Sequence, residues 1–365
     1  MALRLFEGLA RKGTKGMISI VIPVYNGERH LPTMLACLRA QEDASAFEAI
    51  FVNDGSSDNS LSLLQRAEGT ERFAIRVLSM SNSGVSAARN AGLNAARGAY
   101  VCFADVDDLL APNYISTLQK CAEACPADVL RFGFTRVDAG AGSMPAAVWT
   151  GPAAQDVQRM LRDFLADPKL FGPYGFLYRR DFLAVHQLRY AEGRAYYEDY
   201  DFLVRAVALA KHLHATDAVL YAYRQADGSA MMRFSVQRVH CLDLADALVA
   251  FLRSERLPVA DEFEKWYKPR LYWAVFWQVC MALPRVRDAR RFLECTGGRK
   301  LLAALAHYPS AKVAKTALLG RFSPEIYALL ARILGRRHSL LHRMTADEAD
   351  ALFATMGQSR IGIPA

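Results

Sequence analysis

Long apolar runs are scarce in this chain of 365 residues. The longest, Leu271 to Leu283, is too short to span a bilayer, which excludes a polytopic membrane protein as the reading of this sequence. The seven cysteines are odd in number and form no C-x-x-C pair and no His-flanked pair. A disulfide framework and a cysteine zinc site are therefore not expected, and a reducing, cytoplasmic setting is. No G-x-G-x-x-G follows an apolar run, so a dinucleotide-binding domain is not expected either. Met1 to Gly16 alternates basic and apolar residues without a continuous signal-peptide core, and is read as an N-terminal extension.

What is present is a 52% hydrophobic composition, enough for a sizeable core, and a net charge of +8 that is unevenly placed. Residues 1–230 hold 24 Lys/Arg against 25 Asp/Glu, whereas residues 231–365 hold 21 against 12. The basic tail suits an anionic partner, such as a phospholipid surface or a phosphorylated acceptor, or a solvated helical face. Between Ile18 and Phe134 short β-branched runs alternate with helical periodicity, the order that predicts a largely parallel, doubly wound α/β sheet. From residue 236 onward the pattern is helical, as in Leu242, Leu248, Val249 and Leu252 on one face. The expected organisation is 1–16, an α/β domain at 17–230 and a basic helical region at 231–365.

In an open α/β sheet, ligands bind beyond the carboxyl ends of the strands. Three polar segments fall on that rim: Pro23-Val24-Tyr25-Asn26-Gly27, Asn53-Asp54-Gly55-Ser56-Ser57-Asp58, and Asp105-Val106-Asp107-Asp108. Each alone also suits a turn, and Asp107 or Asp108 also suits a cap for the helix near Pro112. Residues two apart on a strand share a face, so Asp105 and Asp107 can aim at one point and offer hard oxygen ligands to Mg²⁺ or Mn²⁺.

These segments resemble those of family 2 glycosyltransferases with the nucleotide-diphospho-sugar-binding GT-A fold, a Rossmann-like sheet. The resemblance rests on Ile18–Asn26, Phe51–Ser60, Asn82–Gly92, Gly98–Asp108 and Tyr197–Phe202, and covers residues 18 to about 230. It implies an inverting transferase, of hexosyl or N-acetylhexosaminyl type, moving one sugar from a UDP-linked donor to a saccharide or lipid-linked acceptor hydroxyl. Surface polysaccharide or glycolipid synthesis, at the inner face of a membrane, is the setting it implies. By the same resemblance Pro23, Tyr25 and Asn26 line the base, Asp54 meets the uracil ring, and Arg89 faces the diphosphate or orders the carboxylates. Asp107 holds Mn²⁺ or Mg²⁺ directly, with Asp105 nearer the ribose or the metal. Asp199 is the implied general base, Glu198 and Tyr174 lie on the acceptor side, and Arg224 clamps phosphate. The Q-x-x-R-W segment of processive synthases is missing. A non-catalytic nucleotide-sugar-binding module and a sugar nucleotidyltransferase are the rival readings. The aromatic run from Trp266 to Trp277 suits a packed helical core better than a membrane interface.

Overall fold

The computed structural model describes residues 16–43, 45–194, 196–225, 238, 241–335, 344–345, 347–350 and 352–353. Nearly all of the expected N-terminal extension therefore lies outside the described residues. The chain falls into two compact units, one of Met1–Leu161 with Lys169–Gln225, the other of Arg162–Pro168 with Ala226–Ala365.

The first unit is built on strands β1 (Ile18–Val24), β2 (Phe47–Asp54), β3 (Ala74–Met80) and β4 (Tyr100–Phe103), in the order β3-β2-β1-β4, all parallel. Helices α1 (Leu31–Arg39), α2 (Ser60–Ala67) and α3 (Val85–Ala95) make the crossovers. Ile18, Ile20, Val21 and Ile22 are fully buried, as expected of a strand covered on both faces. Gly92 lets α3 approach the sheet, because a Cβ there would lie 2.3 Å from Val21 Cγ1. We expect Gly92→Val to destabilise the protein by about 1–3 kcal/mol through overpacking, read by urea denaturation. An unchanged midpoint would show that α3 can lift away.

Beyond β4 the sheet becomes mixed. The sequence then supplies β5 (Leu109–Leu110), α4 (Tyr114–Ala124), β6 (Val129–Asp138), β7 (Ala153–Ala154), α5 (Val157–Ala166), β8 (Phe176–Arg179), α6 (Arg180–Val185), α7 (Glu198–Leu209) and β9 (Leu213–Gln225). The order continues β4-β8-β6-β9-β5, with β8 antiparallel to both neighbours and β6 parallel to β9. Two consequences place the site. An antiparallel β8 starts at the edge where β4 ends, so Tyr174 reaches the carboxyl rim. Leu109 and Leu110 pair with Ala222 and Tyr221, so Asp105–Asp108 crosses that rim from β4 to β9.

The second unit is helical: α8 (Cys241–Ser254), α9 (Ala260–Ala282), α10 (Asp288–Cys295), α11 (Gly298–Ala304), α12 (Ala311–Phe322) and α13 (Pro324–Gly335). Phe276 of α9 is fully buried and stacks on Phe292 at 5.8 Å and on Tyr327 at 5.0 Å. Tyr267 and Tyr272 are buried as well, so the middle of the aromatic run is core.

Candidate active site

The loops after β1 and β2 are tied to each other by side chains. Asn26 takes a left-handed φ of 51°, a conformation asparagine tolerates better than most residues. Its Oδ1 accepts the Ser57 N–H at 2.8 Å, and its own N–H donates to Ser56 Oγ at 3.0 Å. Gly55 has φ +69°, and a Cβ there would meet the Asn82 backbone nitrogen at 2.6 Å, so glycine is required for this close approach. Asp54, 4% exposed, accepts the N–H groups of Ser83 at 2.7 Å and Gly84 at 2.9 Å, one on each oxygen. It therefore fastens the turn that opens α3, and each oxygen keeps a further lone pair. Pro23 pairs in register with Val52, and Tyr25 beside it is 56% exposed.

From that turn α3 carries Arg89 and Asn90 inward. Arg89 is buried and donates to Asp105 Oδ1 at 3.0 Å and to Glu198 Oε1 at 3.1 Å. Its guanidinium also lies 5.2 Å from the Tyr190 ring centroid. Burial works against its charge, but Asp105, Tyr190 and Glu198 hold it protonated. Asn90 brackets the backbone of Tyr190, donating to its carbonyl at 3.0 Å and accepting its N–H at 2.9 Å. Two adjacent residues of one helix thus secure both Asp105 at the strand end and the segment leading to α7.

The carboxylate turn has its own support. Asp108 is fully buried and accepts the Tyr221 hydroxyl at 2.6 Å and the Arg224 N–H at 2.9 Å. Burial, with Asp105 and Asp107 nearby, pushes its carboxyl up to about 8. Burial and Asp105 likewise raise Asp107 above the usual carboxylate range. Arg224 donates to the carbonyls of Asp107 and Ala141 and lies 3.3 Å from His30 Nδ1. The guanidinium of Arg224, the residue expected to clamp phosphate, is turned onto the backbone of the carboxylate turn and props it. Tyr174 stacks on Tyr221 at 4.4 Å and on Tyr223 at 5.8 Å, forming an aromatic wall beside the same turn.

Helix α7 begins at Glu198 after Tyr197, whose φ of 66° is left-handed and costly for an aromatic residue. Burial and Asp199 raise Glu198 to about 7 despite the pull of Arg89. Burial also raises Asp199, with Arg89 opposing and Asp105 adding to the shift. Asp199 Oδ1 accepts the Tyr200 N–H at 2.7 Å. Asp201 pairs with Arg205 at 2.9 Å and stands apart from this network.

Among the described residues no group of three or more His, Cys, Asp or Glu side chains is arranged to hold a metal ion. The donor set nevertheless suits a divalent cation shared with a phosphate ligand. Asp105 is 35% exposed with one oxygen on Arg89, Asp107 is half-buried beside it, and their mutual repulsion marks excess negative charge. Mg²⁺ sites at phosphates commonly take one or two carboxylates and complete the shell with phosphate and water oxygens.

The structure thus brings Asp105, Arg89, Glu198 and Asp199 into one electrostatic network, with Asp107, Asp108, Arg224 and Tyr174 around the adjoining turn. Asp54 and Asn26 organise the neighbouring loops. Sequence reasoning missed Asn90, Tyr190, Asp108, Tyr221 and His30 as supports. The available signals were position and motif: Asn90 directly follows Arg89, and Asp108 stood in the carboxylate segment, read there only as a turn or cap residue.

A family model described as glycosyl transferase family 2 matches residues 19–184. An uncharacterized glycosyltransferase of Bacillus subtilis, EpsJ, is 30% identical over 216 residues, covering 57% of this chain and 61% of that relative's length. In structure the chain is similar to S. aureus TarS residues 1–349, with a TM-score of 0.62, 16% identity, and coverage of 90% of this chain and 94% of that one. The complex of the same TarS segment with UDP-GlcNAc gives a TM-score of 0.59 at 18% identity, covering 88% and 92%. At this identity the likeness establishes the fold, a mostly parallel sheet with helices of the GT-A type followed by a helical region.

Proposed function

We propose that the chain is a glycosyl transferase of family 2, the family whose model matches residues 19–184, and that it transfers one sugar from a nucleoside diphosphate sugar to an acceptor hydroxyl, with inversion. The observation that carries this reading is the Arg89 bridge between Asp105 and Glu198. It joins carboxylates suited to the diphosphate side with an acidic helix start suited to the acceptor side. Pro23, Tyr25 and Asn26 border the base, and a remaining lone pair on Asp54 accepts a ring N–H such as that of uracil. A UDP-linked donor is the first to test, since TarS, of the same fold, binds UDP-GlcNAc.

Asp199 accepts the proton of the acceptor hydroxyl as its oxygen bonds to the anomeric carbon. The bond from that carbon to the diphosphate oxygen breaks in the same step, and the diphosphate leaves with its electron pair. A single displacement inverts the anomeric centre. Arg89 keeps Asp105 and Glu198 in place, Asp108 and Arg224 hold the backbone of the turn, and Tyr174 borders the acceptor. A divalent cation held by Asp107 and Asp105 would supply positive charge to the leaving diphosphate.

The test is a screen of sugar nucleotides for release of UDP or another nucleoside diphosphate, with and without Mn²⁺ or Mg²⁺. Pyrophosphate release instead would point to nucleotidyl transfer. We expect Asp107→Ala to remove the metal-dependent part of UDP affinity, measured by calorimetry. Equal UDP affinity in that variant, with Mn²⁺ present, would take Asp107 off the metal.

A further inference from the structure

Helix α13 is apolar on two faces. Inwardly, Tyr327, Ala328 and Ala331 are buried, and Arg332 donates to the Cys280 carbonyl of α9 at 3.3 Å. Outwardly, Ile326, Leu329, Leu330, Ile333 and Leu334 are 38–63% exposed. Their spacing of i, i+3, i+4, i+7 and i+8 makes a single continuous stripe. Phe322 at the end of α12 is 66% exposed as well, with the Arg321 guanidinium 4.8 Å from its ring centroid. A helix that packs its core through one face has no structural use for a second, solvent-facing apolar stripe, and patches of this kind mark interaction sites.

The charge around the stripe identifies its partner. Residues 296–335, which include both helices, contain six Lys/Arg and one acidic residue, Glu325. Glu325 is itself held by Arg290 at 2.6 and 3.0 Å. Lys312 and Lys315 are exposed on α12. A second copy of this surface would bring like charges together across the contact, which disfavours self-association. An apolar stripe set in cationic surroundings is the pattern of a helix that lies in a membrane interface. We propose that α12 and α13 dock this protein on an anionic phospholipid surface. The stripe of α13 enters the boundary of the acyl chains, and the surrounding lysines and arginines face headgroup phosphates. Tyr267, Tyr272 and Phe276 of α9 are buried and take no part in this contact.

The proposal does not depend on the transfer chemistry, and UDP titration of the same preparations reads the donor site separately. The full chain is floated with vesicles of phosphatidylcholine alone or mixed with phosphatidylglycerol, at low and high salt. Binding to the mixed vesicles that weakens with salt is expected. Leu330→Ser with Ile333→Ser should lower partitioning by about tenfold, since two apolar side chains no longer leave water. Lys312→Glu with Lys315→Glu should abolish the preference for phosphatidylglycerol. Both positions are exposed, and an unchanged thermal midpoint confirms that each variant folds. Equal flotation of the serine variant would overturn the proposal, as would the absence of vesicle binding by the wild type. So would a concentration-dependent dimer that the serine changes dissolve, without any vesicle binding.

Discussion

Asp199→Asn should abolish sugar transfer while leaving nucleotide affinity within a factor of about two, because the amide keeps the shape but cannot take a proton; general-base loss typically removes 10²–10⁴ in rate. Donor titration by calorimetry alongside product formation separates the two effects. Full turnover by the asparagine variant would remove Asp199 from the chemistry. The pH profile carries the same assignment. Burial raises the Asp199 carboxyl, so the group stays protonated, and inactive as a base, at pH values where an exposed aspartate would be ionised. The rate should therefore rise with pH above the ordinary aspartate value of about 3.9. Glu198, raised to about 7, titrates on the same limb. Its sign for stability is opposite. The folded state binds this proton more tightly than the unfolded chain, so that contribution is complete below the ordinary glutamate value of about 4.3. It is lost as pH rises through about 7.

The second large effect belongs to Arg89→Met. Methionine approximates the stem but leaves Asp105 and Glu198 without the cation between them. Breaking a buried pair in this way costs about 3–5 kcal/mol. Chemical denaturation should show that loss, and transfer should fall with it because both carboxylates move. Arg89→Lys should recover little, since one ammonium cannot reproduce a planar fork that reaches two separate acids. A methionine variant with unchanged denaturation midpoint and rate would show that the bridge contributes nothing.

The parallel half of the first unit was legible because β1, β2 and β4 are short, predominantly apolar runs, each ending in polar turn residues. Periodicity and turn chemistry say nothing about pairing partners. β8 is four residues long and β5 two, and both depend on neighbours distant in sequence: Tyr178 on Val101, Leu110 on Tyr221. The carboxylates of the site could be read because acids at strand ends and helix starts are local patterns. Their supports could not. Tyr221 lies 113 residues from the Asp108 carboxylate it binds, and Asn90 lies 100 residues from Tyr190. Arg224 adds the same lesson: the resemblance pointed it at phosphate, and its contacts to the carbonyls of Asp107 and Ala141, on distant segments, had no local signal.

The left-handed backbone at Tyr197 sets the angular phase of α7. Successive helical residues are rotated by about 100°, so Glu198 meets Arg89 by a direct hydrogen bond while Asp199 feels the same guanidinium only through its charge. Slipping the helix by one residue would exchange the surroundings of the two acids without changing either side chain. A backbone torsion upstream of both carboxyls thus fixes which of them braces the arginine and, under the proposed mechanism, which is left to take the proton.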